Sequence, residues 1–125
     1  MVVDASAILA ILLGEKKAGA IADLLAKSST RPSVSPVNYV ECLIILADRK
    51  RIPIDRAKEA VDALRLEILD LTLEDCISAA EARLRFPLNL GDCFAYAAAR
   101  VRGLPLLALD SDFLKSDIHL ALRSI

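Results

Sequence analysis

Two short apolar runs in this chain end abruptly in acidic residues. The run Leu-Leu-Ala-Leu at 106–109 is followed by Asp110 and Asp112, and the opening Met-Val-Val at 1–3 leads directly into Asp4. In open α/β sheets, ligands bind at the edge formed by the carboxyl ends of the strands. The pattern therefore predicts two neighbouring strands that deliver carboxylates to one edge of a sheet.

Two further acids, Glu41 and Asp92, are candidates for the same site. Glu41 lies in the middle of a segment that is apolar on nearly every side. A carboxylate in such surroundings needs a cation, hydrogen bonds or a raised pKa. Asp92 follows Asn-Leu-Gly at the predicted start of a helix that precedes the last strand. We expect both acids to join the others, although spacing alone does not fix the distance of Asp92 from the sheet edge.

Each acid also has an ordinary structural interpretation. Asp4 is suited to cap the helix that follows it. Asp92 is suited to satisfy the N-terminus and dipole of its own helix. Glu41 is compatible with a thin stripe of α-helix that faces solvent. Taken one at a time, the acids leave these alternatives open.

A cluster of carboxylates within a few ångströms is self-repelling, and a hard divalent cation is the usual compensation. Mg²⁺ and Mn²⁺ prefer oxygen ligands, and such an ion activates water and offsets the charge of a phosphodiester. No Cys, Lys or His candidate lies at the acidic edge, which argues against covalent catalysis. The absence of GxxxxGK[ST] and GxGxxG motifs argues against ATP and dinucleotide chemistry. The residues alone predict an acidic, Mg²⁺-type phosphoester site.

Short apolar segments alternate with helical ones along the chain, which predicts a mostly parallel sheet with helices on both faces. Strands are predicted at 1–3, 32–34, 67–71 and 106–109, with a short edge strand at 118–120. Helices are predicted at 6–13, 16–27, 36–50, 54–66, 73–85 and 90–102. The clearest start signals are Ser35-Pro36 and the capping box from Thr72 to Asp75.

Length and composition favour one aliphatic domain spanning residues 1–125. The chain is 55% hydrophobic but only 4% aromatic, which predicts a core of Leu, Ile, Val and Ala. A net charge of −1 counts against tight non-specific binding to nucleic acid. Three widely spaced cysteines indicate reduced thiols of a cytoplasmic protein. With one histidine and no CxxC pair, zinc is not expected, and neither a membrane span nor a signal peptide is predicted.

Four segments together resemble the PIN-domain ribonucleases, and among them most closely the VapC toxins of prokaryotic toxin–antitoxin pairs. They are Val-Val-Asp-Ala-Ser-Ala at 2–7, Glu41 in a helix after Ser-Pro, Leu-Asn-Leu-Gly-Asp-Cys-Phe-Ala-Tyr-Ala at 88–97, and Gly-Leu-Pro-Leu-Leu-Ala-Leu-Asp-Ser-Asp-Phe at 103–113. The resemblance spans essentially the whole chain. The run Gly-Asp-Cys-Phe-Ala-Tyr-Ala at 91–97 is its most specific part.

The resemblance implies a PIN-like three-layer α/β fold and a Mg²⁺- or Mn²⁺-dependent endoribonuclease in which water attacks RNA. It assigns metal-binding and catalytic roles to Asp4, Glu41, Asp92 and Asp110. It also implies that Asp112 is a further metal ligand and that Ser6 is a supporting hydroxyl. A homodimer and a VapB-like antitoxin that occludes the site are the implied partners.

Two departures from the family pattern concern the surroundings of the acids. Ala5 stands where relatives often have Thr, and the connector before Asn89 is shorter than in many relatives. Neither departure removes an acid. The basic residues proposed to contact RNA phosphates are Arg49, Lys50, Arg51, Arg83, Arg85, Arg100, Arg102 and Lys115.

Two alternative interpretations belong to other functional classes. The first is a PIN-like RNA- or protein-binding module that has lost catalysis. The second is a phosphoaspartate receiver-like domain, which also gathers acids at strand ends. That domain would need a Lys at the end of the last strand, where this chain has Asp110 to Asp112.

Overall fold

The computed structural model describes residues 1–121 and contains a four-stranded, wholly parallel sheet. The four strands are β1 (Val2–Val3), β2 (Ser33–Val34), β3 (Glu67–Ile68) and β4 (Leu106–Leu107). All four were predicted, but the paired segments are shorter than the apolar runs that contain them. The predicted edge strand at 118–120 is reduced to one parallel bridge between Leu106 and Leu120. Residues 122–125 of the predicted domain lie outside the described part of the chain.

The strand order β3-β2-β1-β4 places the strands that precede Asp4 and Asp110 side by side. The chain passes from β1 outward to β2 and β3, and then returns to place β4 on the free side of β1. Val2 pairs with Leu106, and Val3 pairs with Leu107. The strand order therefore reverses between β1 and β4, which is where open α/β sheets bind ligands at their carboxyl edge. The prediction that these two strands are neighbours is confirmed.

Six α-helices and one short 3₁₀ helix surround the sheet within residues 1–121. They are α1 (Ala5–Leu12), α2 (Ala18–Lys27), α3 (Pro36–Lys50), α4 (Ile54–Asp62), α5 (Leu73–Arg85), α6 (Leu90–Arg102) and the 3₁₀ helix Ser111–Lys115. The order of the α-helices matches the prediction. Helix α4 ends four residues earlier than predicted, and the chain then turns through Arg65, which has a positive φ of 58°. None of the helices among residues 1–121 has the length and apolar character needed to cross a membrane.

The side chains of the central strands divide the interior into two cores. Val2 and Leu106 pack into one core with α5 and α6. Val3 and Leu107 pack into the other core with α1 to α4. This division follows from the strand geometry, because successive side chains point to opposite faces of a sheet. The three-layer α/β fold predicted from the sequence is confirmed.

A buried ion pair joins the two helices that cover one face of the sheet. Asp75 of α5 is 2% exposed, and Arg102 at the end of α6 donates to both of its carboxylate oxygens, at 2.7 and 3.1 Å. The hydrogen bonds from Arg102 hold the pKa of Asp75 down at about 2, assisted by the backbone and hydroxyl of Thr72. Arg102 was a predicted phosphate contact, but in this structure its guanidinium serves to link α5 and α6.

Replacement of Arg102 tests this link. Arg102→Ala leaves the buried Asp75 carboxylate without its cation, so we expect the free energy of unfolding to fall by about 2 kcal/mol in urea titrations at pH 7. Because the folded-state pKa of Asp75 lies below 3.8, this contribution should be present above about pH 4 and disappear as the pH falls through about 2.

The matched control is Arg100→Ala on the same helix. Arg100 lies 3.3 Å from the exposed carboxylate of Asp117, and a pair of this kind contributes less than about 1 kcal/mol. Equal losses for the two variants would contradict a special role for the buried pair.

Candidate active site

Asp4 lies where β1 ends and α1 begins, and its backbone is fixed to the neighbouring strand. Its N–H donates to the carbonyl of Leu107 at 2.9 Å. Its Oδ2 accepts hydrogen bonds from the backbone N–H of Ser6 at 3.0 Å and from the Ser6 hydroxyl at 2.6 Å. Asp4 is therefore the N-cap of α1, as its structural interpretation proposed, but it is also almost completely buried at the crevice.

Ser6 connects the two strands that form the crevice. While its hydroxyl donates to Asp4, its Oγ accepts the backbone N–H of Leu109 at 3.0 Å. Leu109 lies on the segment that leaves β4 toward Asp110. The hydroxyl thus holds the Asp4 carboxylate in position and ties it to the segment that carries the fourth acid.

Asp92 is the third residue of α6 and has an unusual environment for a helix N-terminus. The helix already has a cap, because the side chain of Asn89 accepts the N–H of Asp92 at 2.8 Å. Asp92 is 8% exposed, and its Oδ2 is buried without a hydrogen-bond partner. An acid that served only to cap the helix would not leave a buried oxygen unpaired. This observation favours a shared site over the purely structural interpretation of Asp92.

Glu41 projects from α3 onto the first turn of α6. The side-chain amide of Asn38 donates to Glu41 Oε1 at 2.7 Å and to the carbonyl of Gly91 at 3.0 Å. Glu41 is partly buried. The carboxyl group lies so close to α6 that a Cβ on Gly91 would come within 2.6 Å of the Glu41 carboxyl carbon. Glu41 is therefore packed against a neighbouring helix and does not lie on a solvent-facing stripe.

The two acids that follow β4 occupy different environments. Asp110 is partly buried and caps the 3₁₀ helix, where its Oδ1 accepts the N–H of Asp112 at 2.9 Å. The charge of Asp110 also acts on Asp92. The carboxylate of Asp112 instead lies 3.6 Å from the Lys115 ammonium group. The charges of Asp4, Glu41 and Asp110 all act on Asp92. The charged partner of Asp112 is Lys115, and its predicted role as a metal ligand stays a prediction.

Burial and mutual repulsion raise the pKa values of two of the four acids. Desolvation is the main cause for Asp4, whose pKa is raised to about 6, and the charge of Glu41 adds to it against the hydrogen bonds from Ser6. Desolvation also dominates for Asp92, whose pKa is raised to about 7 with further contributions from the charges of Asp4 and Asp110. The backbone of Asn89 acts in the opposite direction on Asp92. The charge of Glu41 therefore acts on both Asp4 and Asp92, and the charges of Asp4 and Asp110 act on Asp92.

The four acids fit a hard divalent cation in the chemistry of their donors. Among residues 1–121, no three acidic, His or Cys side chains are close enough to form a ready-made metal site. Mg²⁺ does not require such a cage, because it keeps several waters and takes only one or two carboxylates directly. The buried Oδ2 of Asp92 accepts no hydrogen bond, which leaves it available to bind a cation. Carboxylate oxygens of this kind suit Mg²⁺ or Mn²⁺ rather than a softer metal.

Three neighbours of the acids were not recognised as functional in the sequence. Asn38 donates a hydrogen bond to Glu41, and Gly91 lies against the Glu41 carboxyl group. Only the spacing of Asn38 three residues before Glu41 could have indicated one of these contacts in the sequence. Cys42 is buried behind the site. Burial raises the pKa of its thiol to about 12, and Asp4 and Glu41 contribute to the shift. The thiol therefore stays protonated and is a poor nucleophile.

The raised pKa values predict how the stability of the metal-free protein depends on pH. Asp4 and Asp92 bind protons more tightly in the folded state than in the unfolded state, where their pKa is near 3.8. The free energy of unfolding in chelator should therefore fall by a few kcal/mol as the pH rises from about 4 to about 7. Urea titrations at pH 5 and pH 7.5 measure this change.

Removal of one charge from the group should weaken this dependence. In chelator at pH 7.5, Asp92→Asn should unfold at or above the urea midpoint of the wild type, and should gain little when Mg²⁺ is added. The control is Asp23→Asn, which changes an exposed acid on α2. Two results together would contradict mutual repulsion between these acids. The free energy of unfolding of the wild type would be the same at pH 5 and pH 7.5, and the wild type, Asp92→Asn and Asp23→Asn would have the same urea midpoint.

Residues 1–118 match the family model for the PIN domain. The chain is 36% identical over 131 residues to ribonuclease VapC28 of Mycobacterium tuberculosis, and the match covers 98% of both chains.

Two solved structures share the fold. The first is Mycobacterium tuberculosis VapC20, described as a sarcin–ricin loop cleaving toxin, with a TM-score of 0.77, 22% identity and 98% of each chain covered. The second is a toxin–antitoxin complex from Klebsiella pneumoniae, with a TM-score of 0.73, 17% identity, and 93% of this chain and 92% of that chain covered. Because both structures are less than 25% identical to this chain, they show only that the fold is shared. The family model, with the 36% identical relative, shows that this chain belongs to the PIN-domain family.

Proposed function

We propose that this protein is a Mg²⁺- or Mn²⁺-dependent endoribonuclease that hydrolyses RNA phosphodiester bonds, and that it is the toxin of a VapBC-type pair. The observation that carries the proposal is the environment of Asp92. Its Oδ2 is buried without a partner, and its carboxylate faces the charges of Asp4 and Asp110 at the switch point of the sheet. Membership of the PIN family and relatives named as VapC ribonucleases support the same activity.

Asp4, Glu41, Asp92 and Asp110 are the residues that would hold the cation. A bound divalent ion lowers the pKa of a water molecule and offsets negative charge on the phosphodiester. The protein keeps the acids in place for this chemistry, since Ser6 fixes Asp4 and Asn38 fixes Glu41. With a pKa of about 7, the carboxyl group of Asp92 carries a proton for much of the time at neutral pH in the metal-free protein. Metal binding must displace that proton, so the affinity should fall below pH 7.

The basic residues proposed to contact RNA differ in their availability. Arg102 is paired with buried Asp75, and Arg85 and Arg100 lie beside Asp117. Four further basic residues are exposed and are not in an ion pair within residues 1–121: Arg49, Lys50, Arg51 and Arg83. Because the end of α3 lies about 13 Å along the helix from Glu41, the first three would contact a phosphate several nucleotides from the site of cleavage. We retain these exposed residues as candidate phosphate contacts.

An exposed apolar surface on α3 supports the proposal that this protein binds other protein chains. Two large apolar side chains of α3 are exposed, since Val40 is 50% exposed and Ile44 is 58% exposed. They lie one turn apart on the same flank of the helix, and Glu41 is next to Val40 in the chain. Contiguous exposed apolar surface is typical of interaction sites, and these two side chains lie next to the candidate site. We propose that a second copy of this chain covers them in a homodimer, and that a VapB-like antitoxin blocks the adjacent acids.

The proposed activity is tested with RNA and the purified protein freed of any antitoxin. We expect the wild type to cleave single-stranded or structured RNA with Mg²⁺ or Mn²⁺ and to stop in chelator. Asp4→Asn and Asp92→Asn should abolish cleavage while they retain the far-UV circular dichroism of the wild type, because each removes a charged ligand from the site.

The controls use acids outside the group of four. Asp23→Asn should cleave as the wild type does. Asp112→Asn shows whether the fifth predicted acid takes part: retained cleavage leaves four ligands, and lost cleavage adds Asp112 to the site. Full activity in chelator, or in both Asp4→Asn and Asp92→Asn, would refute metal-dependent hydrolysis. A wild type that binds RNA but never cleaves it would support the alternative of an inactive binding module.

The proposed dimer is tested by placing charges on the exposed flank of α3. Val40→Lys with Ile44→Lys should convert the dimer into a monomer, because two ammonium groups would have to be buried at the interface. Light scattering at high micromolar concentration measures the change. The control is Leu84→Lys, which charges an exposed apolar residue of α5 on the other face of the sheet. A monomeric wild type, or a double variant that remains dimeric, would rule out this interface.

A further inference from the structure

Asn38 is a fully buried polar residue that does more than satisfy its own helix. It belongs to the inner face of α3 together with Cys42 and Leu46. Its amide nitrogen donates to Glu41 Oε1 at 2.7 Å and to the Gly91 carbonyl at 3.0 Å, which places one amide group between two helices and an acid. Its Oδ1 is buried without a partner.

The unpaired oxygen argues against a purely stabilising role for Asn38. A buried acceptor without a donor lowers stability, and an apolar side chain of similar shape would avoid that loss. The residue is therefore best explained by what its nitrogen does. That nitrogen holds the Glu41 carboxylate and the first turn of α6 together.

Gly91 supplies the space into which Glu41 fits. It is the second residue of α6 and immediately precedes Asp92. A Cβ at this position would lie 2.5 Å from Glu41 Oε1 and 2.6 Å from its carboxyl carbon, which is closer than real atoms approach. The backbone of Gly91 is helical, so its small size matters here and its conformational freedom does not.

The position of Glu41 needs this support for two reasons. The charge of Glu41 raises the pKa values of both Asp4 and Asp92, so in the absence of a cation the three carboxylates repel one another. A glutamate side chain also has several rotatable bonds and loses conformational entropy when it is fixed. Without a donor from α3 and a gap on α6, both effects would turn the carboxylate of Glu41 away from the other acids.

We propose that Asn38 and Gly91 are positioning residues that hold the Glu41 carboxylate against the first turn of α6, where it joins Asp4 and Asp92 in binding the divalent cation. Neither residue touches the reacting atoms. Both act through Glu41. This inference rests on the proposed metal-dependent function, and it adds two residues that the metal-binding acids require.

The first test is Gly91→Ala with Mn²⁺ titrated by calorimetry. The new methyl group occupies the place of the Glu41 carboxylate, so we expect the Kd for Mn²⁺ to rise about 10- to 100-fold, the range seen when the support of a metal ligand is lost. In chelator the variant should melt at or above the temperature of the wild type, because Ala is favoured over Gly in a helix and Glu41 can turn aside.

The chain offers a matched control for this substitution. Gly19 is also the second residue of its helix, α2, and a Cβ there would meet no atom within 4 Å. Gly19→Ala makes the same chemical change at the same helical position, far from any acid of the site. It should leave the Kd for Mn²⁺ unchanged.

The second test is Asn38→Leu, which replaces the amide by an apolar group of similar volume. We expect a loss of Mn²⁺ affinity comparable to that of Gly91→Ala, while stability in chelator falls little because the unpaired Oδ1 disappears with the amide. Asn38→Ser retains a single donor and should recover part of the affinity. A purely structural role would instead produce a large loss of stability with an unchanged Kd.

A double-mutant cycle shows whether both residues act through Glu41. In a Glu41→Ala background no carboxylate remains to be positioned, so Gly91→Ala and Asn38→Leu should cause no further loss of Mn²⁺ affinity. Equal losses with and without the Glu41 carboxylate would overturn the proposal, as would a wild-type Kd in Gly91→Ala. A wild type that binds no Mn²⁺ would overturn it as well. A wild type that binds Mn²⁺ but cleaves no RNA would refute the proposed function and leave the positioning roles to be decided by the same titrations.

Discussion

The burial of several neighbouring carboxylates is the constraint on which the candidate site depends. Asp4 and Asp92 are nearly inaccessible to solvent, and both have pKa values raised mainly by burial and further by neighbouring acids. Neighbouring carboxylates move apart unless the backbone and the surrounding side chains restrain each of them. The adjacency of β1 and β4, the capped start of α6 and the amide of Asn38 supply that restraint. The fold keeps these negative charges close together, and a bound cation would offset their repulsion.

Hydrogen bonds shared between elements provide most of this restraint. Ser6 joins the start of α1 to the chain that leaves β4, and Asn38 joins α3 to α6. On the other side of the sheet, Arg102 joins α6 to α5 through a buried carboxylate. Helix α6 is thus fixed at both ends, by Asn38 near its start and by Arg102 at its end. The position of Asp92 follows from that double attachment.

The sequence predicted the sheet edge better than it predicted the interior of the site. Strand ends could be recognised because apolar runs stop at Asp4 and Asp110, and parallel topology then brings the two acids together. The helix starts at Ser35 and Thr72 were predictable because capping is local chemistry. The contact of Glu41 with α6 was not predictable, because it depends on the packing of two helices 50 residues apart. The contact of Asp112 with Lys115 was also not predictable. The positions of Asp110 and Asp112 after the strand do not determine the rotamers of their side chains.

Helix α3 combines three environments within a few residues. Its inner face carries Asn38 and Cys42, its flank against α6 carries Glu41, and its outer flank exposes Val40 and Ile44. Residues 40 and 41 are consecutive, yet one side chain faces solvent and the other faces a neighbouring helix. Under the proposed function, the surface for a partner and a ligand for the cation would share one helix. A shift of α3 that accommodated a new partner would then also move Glu41 relative to the other acids.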